Sequence, residues 1–223
     1  MLTCAGRVVM ISGANRGIGR AVAEKLYREG YTLSLGARRS AELGEALHDW
    51  DSTRVLVYPF EASEAPAAQD WVNATVARFG RLDGLVNNAG IARHAGLEDL
   101  DETALDELWV VNVKGPLRLT RAALPHLRQS GHGRIINVAS LSGKRVRNDN
   151  TGYAMSKFAL LALTHAIRRA GWNDGVRCTA LCPAFVATDL TRNVTKVSRE
   201  EMIAPEDFAE LVATVLALPT MER

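Results

Sequence analysis

Six short apolar runs, separated by longer stretches with apolar residues every three or four positions, constrain this chain more than any other feature. The runs are Val8–Ile11, Thr32–Gly36, Val55–Phe60, Leu85–Asn87, Arg134–Ala139 and Val176–Leu181. Their length and apolar character predict buried strands. The intervening segments Gly17–Glu29, Glu64–Phe79, Ala104–Gln129, Gly152–Gly171 and Pro205–Leu218 carry helical periodicity. Strand alternating with helix predicts parallel neighbours, because parallel strands need a crossover long enough to hold a helix. The expected fold is α/β, a doubly wound parallel sheet with helices on both faces.

With 223 residues, 47% of them hydrophobic, the chain can bury a substantial core, and residues 1–223 read as one domain. The net charge of +2 is small and the bases lie scattered among the acids, so no nucleic-acid partner is expected. No apolar stretch reaches the length of a membrane span, and the residues before Val8 do not resemble a cleavable signal. A cytoplasmic protein without a membrane partner is the expectation. Cys4, Cys178 and Cys182 lack paired spacing and read as reduced thiols, while His48, His94, His126, His132 and His165 are dispersed, so no metal site is expected.

Two constellations carry chemistry. Gly13, Gly17 and Gly19 follow the first strand and open the first helix, where small residues let backbone amides and a helix N-terminus approach a pyrophosphate. Tyr153 and Lys157 are four residues apart in Tyr-Ala-Met-Ser-Lys, which on a helix puts phenol and ammonium on one face. The cation is expected to favour the phenolate and draw the tyrosine towards neutrality. Ser140, thirteen positions earlier, closes the fifth strand, and a hydroxyl there can hydrogen-bond an oxygen that gains charge during reaction. Read as a hydrolase nucleophile, Ser140 lacks a Gly-x-Ser-x-Gly elbow.

These motifs, together with Asn87-Asn88-Ala89-Gly90 after the fourth strand, occur in the order found in the short-chain dehydrogenase/reductase family, which the chain resembles from about Arg7 to Leu218. The resemblance implies a Rossmann-like sheet and a catalytic set of Asn112, Ser140, Tyr153 and Lys157, with Tyr153 as acid/base and Asn112 organising a water relay to the lysine. It places cofactor contacts on Gly13, Asn15, Arg16, Gly17, Ile18 and Gly19, on Arg38, Glu61 and Ala62, and on Asn88, Ala89 and Gly90. Tyr153, Lys157, Pro183, Val186 and Thr188 complete that set. Ala37 stands where NAD-using members carry an acid, and Arg38 follows it; with Arg16 it is expected to converge on a 2′-phosphate. NADP(H) is therefore the favoured cofactor and NAD(H) the second option.

Departures from the family pattern are also visible. Ser12 replaces the usual threonine, Ala184 replaces a glycine, and the substrate-covering segment near 189–204 is short. The family's last strand is expected to be missing, because the chain closes soon after Leu218. Lys144, Arg145 and Arg147 lie between Ser140 and Tyr153 and read first as a solvated loop face, with attraction of an anionic carbonyl substrate as the alternative. The implied function is an NADP(H)-dependent oxidoreductase interconverting a small-molecule carbonyl and an alcohol, in a homodimer or homotetramer. The alternative is a non-catalytic NADP-sensing or scaffold protein of the same fold.

Overall fold

Each apolar run becomes a strand of one sheet in the computed structural model, which describes residues 1–220. The strands are β1 (Val8–Ser12), β2 (Thr32–Ala37), β3 (Val55–Pro59), β4 (Gly84–Asn87), β5 (Arg134–Val138) and β6 (Arg177–Leu181). They lie in the order β3-β2-β1-β4-β5-β6, and every neighbouring pair is parallel. The chain builds outward from β1 in one direction, then returns past it to build β4 to β6 in the other. That reversal opens a crevice at the carboxyl ends of β1 and β4, the position where open α/β sheets bind ligands.

Alternation along the strands sorts the core into two layers. Val9 and Ile11 share one cluster with Leu26 of α1 (Gly17–Arg28) and Phe208 and Val212 of α7 (Pro205–Ala217). Val8 and Met10 face the other way, into a cluster with Trp71, Leu119 and Ile167. Those three come from α3 (Ala67–Phe79), α5 (Gly115–Gln129) and α6 (Thr151–Gly171). Helices on both faces explain why the central strands β1 and β4 are buried along their whole length rather than alternating between buried and exposed.

Two elements differ from the sequence reading. A short helix α2 (Ser40–Ala46) follows β2; it buries only Leu43, too little to leave a periodic signal. The stretch read as one helix over Ala104–Gln129 is interrupted: α4 (Thr103–Trp109) passes through a π turn, Val110–Lys114, before α5 begins. The Gly115 N–H donates to the Val110 carbonyl five residues back, and the widened turn carries Asn112, only 1% exposed. Single π turns inside helices are frequent at functional sites. Among the described residues no strand follows α7, so β6 is an edge of the sheet. The expectation for the tail at 221–223 lies outside them.

Candidate active site

A cleft of about 950 Å³ runs across the carboxyl ends of all six strands. Its floor at β1 is shaped by the glycine loop. Gly17 has φ of +56°, a left-handed conformation suited to glycine, and Gly19 lies so close to the Gly13 carbonyl oxygen that a Cβ there would collide with it. The Asn88 amide closes the same loop from β4, its Nδ2 donating to the Ser12 carbonyl at 2.9 Å and the Gly13 carbonyl at 3.1 Å. Ser12 Oγ in turn accepts from the Asn88 and Ala89 amides, both at 3.0 Å. The glycines let the loop pack this tightly at the N-terminus of α1, an arrangement that fits a pyrophosphate. Gly19→Val is expected to push this loop open, weakening dinucleotide binding at least about tenfold in a fluorescence titration; unchanged affinity would contradict the cradle.

Around β5 and β6 the cleft takes in Ser140, Tyr153, Lys157, Pro183 and Phe185. Ser140 starts a 3₁₀ turn, Leu141–Gly143, and its Oγ accepts from the Ser142 amide at 3.1 Å. Tyr153 sits in the first turn of α6, where the Asn150 side chain caps the helix by accepting from the Tyr153 amide at 3.2 Å. Lys157, one turn on, is 7% exposed; its Nζ donates to the Val138 carbonyl at 3.1 Å and lies 5.7 Å from the Tyr153 ring centroid. Burial brings the ammonium down to about 8, with Cys182 opposing that shift. A phenol, a hydroxyl and a cation of shifted pKa therefore share one cleft with the glycine loop.

The model of the short chain dehydrogenase family matches residues 7–199. The chain belongs to that family. It is 42% identical over 213 residues to the agropine synthesis reductase of Rhizobium rhizogenes, an alignment covering 95% of this chain and 49% of the relative. The chain thus spans about half the length of that curated relative. An uncharacterized oxidoreductase of Staphylococcus saprophyticus is 30% identical, with 99% of this chain and 95% of the relative covered. Among solved structures, an alcohol dehydrogenase of Thermococcus sibiricus complexed with 5-hydroxy-NADP superposes with a TM-score of 0.87 at 32% identity, covering 97% of this chain and 93% of that one. A 3-ketoacyl-(acyl-carrier-protein) reductase of Brucella melitensis complexed with NADH gives 0.89 at 27%, covering 97% and 92%.

Within this short-chain dehydrogenase the sequence-derived residues line the cleft except two. Gly19 lies beneath the loop, against the Gly13 carbonyl. Asn112 is buried behind it, with Oδ1 accepting from the Ile91 amide at 2.9 Å and Nδ2 donating to the Ile91 carbonyl at 3.0 Å and Ser156 Oγ at 3.1 Å. Its side chain clamps the strand exit after β4.

Three further differences are physical. Arg16 and Arg38 pair with separate carboxylates, Arg16 with Asp189 at 2.9 Å and Arg38 with Glu61 at 3.8 Å. The Tyr153 phenol is raised, not lowered, because burial outweighs a hydrogen bond from Ser140. Thr188 turns its side-chain oxygen to the Thr191 amide in a capping box, and its methyl packs on Gly17.

The segment near 189–204 holds two 3₁₀ turns, Asp189–Thr191 and Arg199–Glu201, with Arg16 tying Asp189 across the cleft. Asn150 was not singled out from the sequence, though it joins α6 to the loop after β4 through Ala95 and Arg93. An asparagine three residues before a helical tyrosine is an N-cap signature that could have revealed it. No group of three or more His, Cys, Asp or Glu side chains among the described residues is placed to hold a metal.

Proposed function

We propose that this short-chain dehydrogenase is an NADP(H)-dependent oxidoreductase that interconverts a carbonyl and an alcohol by tyrosine acid/base catalysis. The observation that carries the reading is the meeting of Ser140, Tyr153 and Lys157 in the same cleft as the glycine loop. When bound, the nicotinamide supplies a hydride to the carbonyl carbon. Tyr153 gives its phenolic proton to the carbonyl oxygen in reduction and removes the alcohol proton in the reverse direction. Ser140 donates to that oxygen as its negative charge grows. Lys157 would stabilise the resulting phenolate and hold the nicotinamide ribose, and Asn112 would organise the water that supplies the replacement proton.

Gly13, Asn15, Gly17 and Ile18 supply the pyrophosphate loop, with Gly19 allowing its close packing. Glu61, Ala62, Asn88, Ala89 and Gly90 border the adenosine half, and Pro183, Val186 and Thr188 the nicotinamide carboxamide. Arg38 is 67% exposed in its side chain and held by Glu61 only at 3.8 Å, so a 2′-phosphate can recruit it without breaking a tight pair. Arg16 would have to exchange Asp189 for the phosphate. The exposed Trp109, Met155 and Phe158 near the catalytic helix support a homodimer or homotetramer. No described helix is long and apolar enough to cross a membrane, and the three free thiols agree with a reducing, cytoplasmic setting.

Titration of the purified protein with NADPH and NADH at matched ionic strength, followed by nicotinamide fluorescence, tests the cofactor. NADPH is expected to bind at least about tenfold more tightly, and Arg38→Ala to remove most of that difference, since a charge-assisted pair contributes about 1.5–3 kcal/mol. Preference for NADH would overturn the arginine assignment, and binding of neither would overturn the cofactor function.

A further inference from the structure

The cleft is far more basic than the chain. It is lined by eight cationic side chains and two carboxylates, whereas the whole protein carries a net charge of only +2. Both carboxylates are already engaged, Glu61 with Arg38 and Asp189 with Arg16 and Arg192. Near the reacting hydroxyls, Arg93 is neutralised by Glu107 at 2.8 Å. Asp149, the acid closest in sequence to Tyr153, points to His94 at 3.5 Å. Arg39 pairs with Glu42 at 3.2 Å, and the Lys157 ammonium donates to the Val138 carbonyl beside Tyr153. Arg145 and Arg147 remain as the guanidinium groups that line the cleft with no carboxylate within ion-pair distance among the described residues.

Their anchoring places this charge beside the reacting end. The Arg145 amide donates to the Leu141 carbonyl at 3.2 Å, so it continues the turn begun by Ser140. Asn150, which caps the Tyr153 helix, lies three residues beyond Arg147 and also lines the cleft. Both arginines are solvent-exposed, yet both border the cleft and no carboxylate neutralises them among the described residues. Phe185 and Leu190, both partly exposed, add apolar surface to the same cleft.

We infer that the substrate of this site is an anionic carbonyl compound, whose carboxylate is held by Arg145 and Arg147 while its carbonyl meets Ser140 and Tyr153. The inference rests on the reductase reading for the carbonyl but not for the anion. A guanidinium matches a carboxylate with two parallel N–H···O bonds, and two unpaired guanidinium groups set both position and charge selectivity. A neutral analogue leaves them without a partner.

The test compares 4-carboxybenzaldehyde with its neutral isostere 4-formylbenzamide, using intact protein and saturating NADPH. The ratio of kcat/KM is expected to favour the carboxylate at least about tenfold at low salt and to shrink as KCl rises. Arg145→Gln/Arg147→Gln should bring the ratio below about threefold. Arg121→Gln/Arg169→Gln, which removes the same charge from exposed positions that do not line the cleft, should keep it. Equilibrium dialysis of both aldehydes with the protein reads binding apart from turnover. Preferential retention of the carboxylate without turnover keeps the anion site and overturns the reductase reading. Equal retention, or a preference unchanged by Arg145→Gln/Arg147→Gln, overturns the anionic substrate class whatever the turnover.

Discussion

Tyr153→Phe is expected to lower kcat/KM for carbonyl reduction by about 10²–10⁴-fold, the range contributed by a positioned general acid. The substitution removes one oxygen and keeps the ring, so the packing of α6 and the placement of Lys157 5.7 Å from the ring centroid survive. NADPH affinity should change by less than about threefold, which separates loss of the acid from loss of the site. Burial holds the phenol above its ordinary value, so across neutral pH it is protonated, the form that reduction needs. Alcohol oxidation needs the phenolate and should therefore rise as pH increases into the alkaline range, while reduction stays flat through neutrality. Stopped-flow or steady-state rates of NADPH oxidation check the first effect and a pH series the second. Retained reduction in Tyr153→Phe would remove the phenol from the mechanism.

The sheet was legible in the sequence because its central strands β1 and β4 are buried on both faces, and all six strands carry short runs rich in apolar residues, from Val8–Ile11 to Val176–Leu181. The Tyr153–Lys157 pair was legible for a similar reason: four-residue spacing is geometry as soon as the segment is a helix. Long-range consequences were not. The π turn at Asn112 leaves no periodic trace, since one extra residue per turn is a local change settled by what the side chain meets in space, here the Ile91 backbone. Nothing local in the sequence announces the partners of Arg7 and Arg134, which are buried and satisfied by carbonyls of Leu216 and Leu218, far along the chain. Arg16 is the functional counterpart, because nothing within its own loop announces Asp189 as its partner.

Lys157→Met should separate function from stability, with large effects of opposite sign. Turnover is expected to fall by at least about 10²-fold, since the phenolate of Tyr153 loses its nearest cation and the nicotinamide ribose loses a donor. The folded protein should nevertheless become more stable at pH 7. Burial brings the lysine from 10.5 to about 8, so below pH 8 both folded and unfolded chains hold the proton and the folded state bears the full cost of a buried ammonium. Between pH 8 and 10.5 the folded chain releases the proton first, and the wild type gains stability with rising pH over that window. A shift of this size corresponds to about 3 kcal/mol, from which the lost hydrogen bond to Val138 removes roughly 1 kcal/mol. A net gain on the order of 2 kcal/mol would raise Tm by about 4–8 °C for a chain of this length. The gain should be full at pH 7 and give way to a small loss by pH 10.5, because there the wild-type lysine is neutral when folded and half neutral when unfolded, and only the lost hydrogen bond to Val138 remains to count against the variant. Thermal melts of both proteins across that range, without cofactor, measure it. A variant less stable than wild type at pH 7 would mean that the ammonium is held by polar groups strong enough to offset its burial. Lys157 would then be a structural cation, and the balance between stability and catalysis at this site would lie the other way.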